Sequence, residues 1–416
     1  MKILFIGARL FDDVYFYLQE RNIYGVLTES NENSDNIDLA DKYYIVPRGM
    51  DEPMRIAIEE EVDGVIPLIG VDPPLLDLAS MKEILESDHN IPVISSNKTA
   101  VKICINKFLT KEFFKYFNIK TPNYFVFQNN NLKNHLNGHG SLKFKDIDLS
   151  LDNDLRSFIE YFNGHEHEVH DKNSFRSDFG FHHVLKQFEG QGGKNIAVVN
   201  DNKSFFDYTN RFALTLCEEY VNGYEISIEV LSYNDEHVPL VPVYKGETDL
   251  KGTHPLNKVR YAPSEIDGLD NDLIKDLAVK IAKNLNAEGT IDIDFIFSKK
   301  DKEIYAIEIN PRPSGTRYLS TASTSVSPLL KLVDMVSGNF NVKEIDREIK
   351  DYHALEVPIG SYTPPEHGKP FKKFNKNSWI VHGPENYKRI TISGENREKL
   401  YEITNDVLKL GDFING

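Results

Sequence analysis

Asn286 to Arg317 reads NAEGTIDIDFIFSKKDKEIYAIEINPRPSGTR, with two strand-like runs, Ile291 to Phe297 and Ile304 to Ile309, on either side of a polar turn from Ser298 to Glu303. Successive strand residues point to opposite faces, so Ile291, Ile293, Phe295 and Phe297 share one face while Asp292, Asp294 and Ile296 share the other. In the second run Ala306, Glu308 and Asn310 put a carboxylate and an amide on one face, with Arg312 next in that direction. If the runs pair as a hairpin, Asp294, Glu308 and Asn310 converge. Oxygen ligands without His or Cys suit a hard cation such as Mg²⁺. The competing reading is a solvated acidic face on an ordinary hairpin. Like charges on facing strands count against it unless something positive lies between them.

The 416 residues suggest two or three domains, and a hydrophobic fraction of 40% can build their cores. A formal net charge of −16, from 48 basic and 64 acidic residues, argues against binding a nucleic-acid backbone, while a small charged ligand needs only a local basic patch. Cys104 and Cys217 are too few for a disulfide framework and read as reduced core residues. No basic segment leading into an apolar run opens the chain, and no run is long enough to span a bilayer, so a cytoplasmic protein without membrane contact is expected.

The chain opens as strand (Lys2 to Gly7), turn, helix (Phe11 to Arg21) and strand (Tyr24 to Thr28), the start of an open α/β unit. Gly7 is followed by Ala8 and Arg9, so the GxGxxG dinucleotide pattern is missing. Strands at Tyr43 to Val46, Val62 to Leu68 and Ile91 to Ser95, with a helix at about Pro53 to Glu61, carry this domain to an edge near residue 96, where Ser96-Asn97 is suited to cap a helix.

Lys98 to Phe117 has the spacing of an amphipathic helix or helix pair, and Lys107 on it is either phosphate-facing or simply solvated. Residues 128 to 179 are rich in Asn, His and Asp, with one helix expected at Leu155 to Phe162; their histidines at 135, 139, 165, 167 and 170 lack a zinc-ligand pattern, and a mobile insertion is expected. Two strand-like runs, Val184 to Phe188 and Ile196 to Val199, flank Glu189-Gly-Gln-Gly-Gly-Lys194. Those glycines let backbone amides approach phosphate oxygens, and a plain hairpin tip is the alternative. Leu214 to Leu231 reads as strand, break at Asn222-Gly223, strand, with Glu218, Glu219 and Glu225 around the break. Such a connection suits an adenine edge and a ribose, or merely carries exposed glutamates.

The order of these pieces resembles the ATP-grasp superfamily: an open α/β domain, a helix carrying Asn106-Lys107, VLKQFEGQGGKN, EEYVNGYE, and paired strands ending in EINPR. Within it, GTIDIDFIF through EINPRPSGTRYLSTASTSVSPLLKLVDMVSG is most similar to the synthetase halves of carbamoyl-phosphate synthase and the single-unit carboxylate–amine ligases related to them. The resemblance covers roughly residues 1 to 340. It implies an α/β (α+β) ATP-grasp fold: an N-terminal open α/β domain (1–95), a two-part ATP-binding domain (96–340, its small part about 122–220 with an insertion at 128–179) and a small C-terminal α+β portion (341–416).

It also implies roles for residues. Lys107 and Lys186 contact ATP phosphates under a loop of Gly190, Gly192 and Gly193. The backbone of Glu219 and Val221 meets adenine with Glu218 nearby, and Glu225 holds the ribose. Asp294, Glu308 and Asn310 carry Mg²⁺, for which Mn²⁺ is a substitute. Arg312 is the catalytic residue, and Ser314 and Arg317 face the γ-phosphate and the intermediate. Aspartate at 294, where glutamate is common, shortens the reach to metal by about one methylene. The activity implied is carboxylate–amine ligation through an acylphosphate, with ADP and phosphate released and with amino acids or small acids as substrates. Small-molecule carboxylate and amine are the partners expected, and a homodimer is an admissible assembly. The alternatives are a carbamoyl-phosphate-type or carboxylating enzyme, whose whole form would need a second synthetase half for which the length leaves no room, and a non-catalytic nucleotide-binding regulator.

Beyond Gly338, Asn339 to Glu348 reads as a polar connector, followed by strands near His353 to Val357, Trp379 to His382 and Ile390 to Ile392 and a helix at Asn396 to Leu408. Lys245, His254 and Arg260 form a candidate carboxylate-binding set.

Overall fold

The computed structural model describes residues 1–135, 153–165, 167, 169–172, 182–190, 193–250, 258–361, 376–383 and 386–408. At the N-terminus, β1 (Lys2–Ile6), β2 (Tyr24–Glu29), β3 (Lys42–Ile45) and β4 (Gly64–Pro67) form a parallel sheet in the order β3-β2-β1-β4. Helices α1 (Tyr15–Glu20), α2 (Asp51–Glu59) and α3 (Leu75–His89) connect and cover it. Ile3 to Ile6 and all of β4 are buried, as unbroken apolar runs between helix layers require. Two expectations shift here. A short 3₁₀ turn at Phe11–Asp13 precedes α1, so the first helix is shorter than its apolar spacing suggested. Ile91 to Ser95 contributes only a bridge from Val93 to Val65, because Pro92 has no N–H with which to extend a ladder.

Asn97 caps α4 (Lys98–Ile105), its side chain accepting from the Ala100 amide at 2.9 Å. Asn106 then breaks the helix and caps α5 (Lys107–Tyr116), accepting from Phe108 and Leu109. This cap is what makes Lys107 the first residue of a helix. A second sheet has the order β6-β5-β9-β7-β8, from β5 (Tyr124–Gln128), β6 (Val169–His170), β7 (His183–Lys186), β8 (Ala197–Val199) and β9 (Leu214–Glu219), flanked by α6 (Asn153–Gly164) and α7 (Asn202–Thr209). The segment 128–179 falls largely outside the described residues. Of its histidines, His139 lies outside them, and the ring of His167 rests against the Phe162 carbonyl at 3.0 Å.

The third sheet is the largest. Its strands are β10 (Gly223–Tyr233), β11 (Glu236–Pro239), β12 (Val243–Glu247), β13 (Arg260–Ala262), β14 (Gly289–Ser298), β15 (Ile304–Asn310), β16 (His353–Gly360), β17 (Trp379–His382) and β18 (Lys388–Gly394), in the order β15-β14-β10-β12-β13-β16-β18-β17, with β11 on β10. The strands after residue 341 therefore continue the sheet that carries β14 and β15. Behind it, Ile226, Ile228, Ile291, Ile293 and Phe295 pack on Ile274, Ala278 and Ile281 of α8 (Asn271–Asn284). Each such side chain contributes about 1.5–3 kcal/mol on burial, which fixes the apolar face inward. Helices α9 (Arg317–Thr324), α10 (Pro328–Val336), α11 (Val342–Glu348) and α12 (Arg397–Leu408) complete the fold. Asn339 to Glu348, expected as a connector, holds α11 because the Asn341 side chain caps it through the Glu344 amide.

In β16 the fully buried Glu356 accepts from Arg389, from Thr391 at 3.2 Å and from Arg260 at 3.5 Å, with His382 at 3.3 Å. Burial alone would raise its carboxyl pKa, but His382, Arg389 and Arg260 hold it well below the usual carboxylate range. Stability from this group is present above the ordinary carboxylate value and is lost as pH falls below it. Glu356→Ala should cost about 3–5 kcal/mol in urea unfolding at pH 7, since it strands two guanidinium groups, and the difference from wild type should shrink as the pH is taken below about 4.

Candidate active site

Three adjacent antiparallel strands set the geometry. Asp294 stands opposite Glu308 on β15 and Ser227 on β10, and Asp292 stands opposite Asn310 and Glu229. Residues directly opposite one another share a face, so these six polar groups form two rows of three on one side of the sheet. The register between β14 and β15 shifts after Asp294, where Phe295 pairs with Ala306. A second bulge, between Glu225 and Ile226 opposite β12, makes Lys245 an extra residue, and its ammonium reaches Asp294 at 2.5 Å.

The charges on this face are unequal in environment. Burial pushes the carboxyls of Asp294 and Asp292 up, Lys245 notwithstanding, and pushes Glu229 up to about 7. Burial would raise Glu308 as well, but Lys107, Lys186 and Lys245 outweigh it and hold its pKa down. One oxygen of Asp292 is buried without a protein partner. An all-oxygen set of Asp292, Asp294, Glu308 and Asn310 with a carboxylate oxygen to spare matches the donors that Mg²⁺ takes, and a divalent cation would restore the ionised form of the raised aspartates.

A cavity of about 710 Å³ opens over these rows, lined by Lys186, Glu219, Val221, Asp294, Asn310 and Arg312 among others. Next to it Lys107, Lys186, Gly190, Gly193, Lys194 and Glu308 line a pocket of about 50 Å³. Gly190 and Gly193 both have positive φ, at 128° and 75°, and their connection joins β7 to β8 as a hairpin. The Lys107 ammonium bonds the Gly190 carbonyl and lies 4.0 Å from Glu308. Between β9 and β10 the chain passes from the second sheet to the third. Gly223 is required there, since a Cβ would lie 2.3 Å from the Phe297 carbonyl oxygen.

At the other end of the cavity Arg312 donates to Asp72 at 2.6 Å and to the Asn310 side chain at 3.2 Å. Arg317 lies 3.4 Å from Asp13, which also accepts from Tyr318 at 2.8 Å. Ser314 binds Glu229 through its amide at 3.1 Å and Thr316 through its hydroxyl at 2.7 Å.

An ATP-grasp domain family model matches residues 171–316. Over 408 residues the chain is 44% identical to a carbamoyl-phosphate synthase of Methanobrevibacter smithii, covering 98% of this chain and all of that one. The chain belongs to the ATP-grasp family. Its fold is shared with the biotin carboxylase domain of 2-oxoglutarate carboxylase from Hydrogenobacter thermophilus, solved with MgADP, ADP and bicarbonate (TM-score 0.69, 16% identity, covering 98% of this chain and 89% of that one). It is shared equally with L-amino acid ligase from Bacillus licheniformis (TM-score 0.66, 17% identity, covering 98% and 97%). The protein is thus an ATP-grasp enzyme of the ligase class that forms carbon–nitrogen bonds.

In this ATP-grasp chain the residues singled out by sequence fall into three groups. Lys107, Lys186, Gly190, Gly193, Glu218, Glu219, Val221, Glu225, Lys245, Asp294, Glu308, Asn310 and Arg312 line the two adjoining pockets. Gly192 and His254 lie outside the described residues. The Glu218 carboxylate, at the wall of the larger cavity, is buried between Lys186 at 3.0 Å and Lys111 at 3.2 Å and is their shared counter-ion. The remainder are engaged elsewhere. Arg260, expected at the substrate, is buried against Glu356, and Lys245, from the same expected set, pairs with Asp294. Ser314 and Arg317 belong to the arginine end described above. Lys111, Lys258, Asp72 and Glu229 were missed. Lys258 holds Glu225 at 3.0 Å, and nothing in its local sequence marks that pairing. Asp292 was legible as a member of the same alternating face as Asp294.

Lys111 has no exposed side-chain surface; burial lowers its pKa to about 8 even with Glu218 beside it. Glu218→Ala leaves Lys111 and Lys186 without their shared carboxylate, and it should cost about 3 kcal/mol or more by chemical denaturation at neutral pH. The loss should be smaller at pH values above about 8, where Lys111 gives up its proton.

Proposed function

We propose that this enzyme uses MgATP to activate a small carboxylic acid as its acylphosphate and then joins it to an amine, releasing ADP and phosphate. The observation that carries this reading is the pairing of Asp294 with Glu308 on the floor of a cavity that has lysines and a glycine hairpin at one end and Arg312 at the other. ATP would lie with its adenine against the backbone of Glu219 and Val221 and its ribose at Glu225. The amides of Glu219 and Tyr220 are already taken by the carbonyls of Asn123 and His182, which holds this segment still for recognition.

Lys107 and Lys186 offset phosphate charge at the glycine hairpin. Asp294, Glu308 and Asn310 would hold Mg²⁺, with Asp292 behind them, and bound Mg²⁺ neutralises phosphate charge as it develops. Lys245 currently neutralises Asp294 and is placed to turn to an anionic ligand when a cation takes over that carboxylate. An oxygen of the acid attacks the γ-phosphorus, the bond to ADP breaks, and Arg312 presents a fixed donor fork to the oxygens that gain charge. The amine then adds to the acyl carbon, phosphate leaves, and the nitrogen gives up a proton. Closure of the Gly190 to Lys194 hairpin would keep water from hydrolysing the acylphosphate.

A second reading takes bicarbonate as the acid and ammonia as the amine. The name carried by the Methanobrevibacter smithii relative favours it, and that relative matches this chain over its whole length. An ADP-release screen over pairs of acids and amines, bicarbonate with ammonia included, separates the two when the products are read by mass spectrometry. Glu308→Gln should lower Mg²⁺-dependent turnover at least a hundredfold with the fold intact; unchanged turnover at saturating metal would remove Glu308 from the site. Arg312→Ala should reduce kcat more than ATP affinity, and a change confined to ATP affinity would sink its catalytic assignment.

A further inference from the structure

The ammonium of Lys245 stands on a carboxylate that the proposed reaction needs for its metal. On β12, Tyr244 pairs with Ile226 and Gly246 pairs with Glu225, so Lys245 between them is the extra residue of the bulge. Gly246 gives that bulge its backbone freedom, at a φ of 113°. From there the side chain reaches over β10 to β14. The small Ser227 stands opposite Asp294 on the strand being crossed, and Lys245 Nζ lies 2.5 Å from an oxygen of Asp294. Both side chains keep 17% of their surface exposed and both line the larger cavity, so a ligand there meets the pair directly.

Burial alone would favour loss of the Lys245 proton, but Asp294 and then Asp292 more than offset it, and the ammonium stays charged. A largely dehydrated ammonium and a divalent cation cannot share the Asp294 carboxylate without strong repulsion, since little water lies between them to screen it. A free cation arriving at Asp294 would therefore have to drive Lys245 off. Asp292 is no refuge, because it belongs to the same oxygen set. A cation carried on a polyphosphate changes the balance. It brings anionic oxygens into the cavity, where Lys245 lies with Lys186 and Arg312, and the displaced ammonium gains a new partner.

We propose that Lys245 makes this site accept its metal only together with a nucleotide: it keeps free Mg²⁺ from Asp294, and it gives up that carboxylate when a polyphosphate arrives with the cation and offers the ammonium other oxygens. The proposal rests on the reading of Asp294 and Glu308 as metal ligands and deepens it by setting an order of binding. Metal and nucleotide enter as one complex, and free metal does not occupy the site ahead of it. Lys107 does not replace Lys245 in this role, since it lies 4.0 Å from Glu308 and donates to the Gly190 carbonyl.

Mn²⁺ binding to the full chain, read by water-proton relaxation enhancement with and without ADP, tests it without any turnover. Lys245→Met should tighten the binding of Mn²⁺ alone at least about tenfold, as expected when one buried positive charge is taken from a cation site. Lys245→Arg keeps the charge and should bind Mn²⁺ alone as weakly as the wild type. With ADP present the advantage of Lys245→Met should shrink, because the wild-type ammonium has then left Asp294. Lys245→Gln, which can still donate to Asp294, should also tighten Mn²⁺ binding and serves if the methionine variant does not fold. Equal affinity of the wild type and the neutral variants for Mn²⁺ alone, or tightening by Lys245→Arg as well, overturns the role of Lys245; uptake of Mn²⁺ by the wild type with ADP then leaves the metal site standing. No uptake by any of these proteins, even with ADP, overturns the metal reading and the proposal with it.

Discussion

The register of β14 between β10 and β15 is the constraint on which the rest depends. A slip of β14 by one residue would turn Asp292 and Asp294 into the hydrophobic core and Ile293 out to the cavity. Burial of Ile291, Ile293 and Phe295 against α8 makes that slip unaffordable, so the packing on one side of the sheet sets the positions of the carboxylates on the other. Precision at the site is thus a by-product of an ordinary core. The same constraint explains why so many acidic groups are tolerated together. They lie at fixed spacing, interleaved with Lys245 from a bulge and approached by Lys107 from a helix start.

The site draws on all three sheets, and each contributes a different kind of charge. The large sheet supplies carboxylates. The second sheet and the helix before it supply lysines, with Glu218 behind them as a shared counter-ion. The N-terminal sheet supplies Asp13 and Asp72 from connections that follow its parallel strands, where ligands of open α/β units are commonly met. No helix among the described residues is long and apolar enough to cross a membrane, and these cores account for the apolar stretches that were noticed in the chain.

Much of this was legible from the residues themselves. Alternation in IDIDFIF and AIEIN marked two half-buried strands, the polar turn between them implied pairing, and pairing brought Asp294 to Glu308. The glycine run between two short β-rich stretches was legible as a hairpin for the same reason. What local sequence could not carry was the long-range pairing of charges. Glu218 has the local look of an exposed glutamate, and only the meeting of β9 with α5 buries it between two lysines. Arg260 looks like a free ligand-binding arginine until β16 and β18 bring Glu356 and Arg389 to it. The C-terminal strands were readable one by one, but their continuation of the large sheet depends on β13, a strand of three residues with little pattern of its own.

Asp13 and Asp72 lie 305 and 240 residues before Tyr318 and Arg312, the groups they hold. A chain made from its N-terminus would have its parallel sheet, and with it both aspartates, in place long before those partners leave the ribosome. Arg312 and Arg317 then emerge onto a surface that already carries their counter-charges. Pairing of the N-terminal sheet with Arg312 and Tyr318 is then a late event of folding, and a polypeptide stopped short of Arg312 would lack the cations that these two aspartates hold.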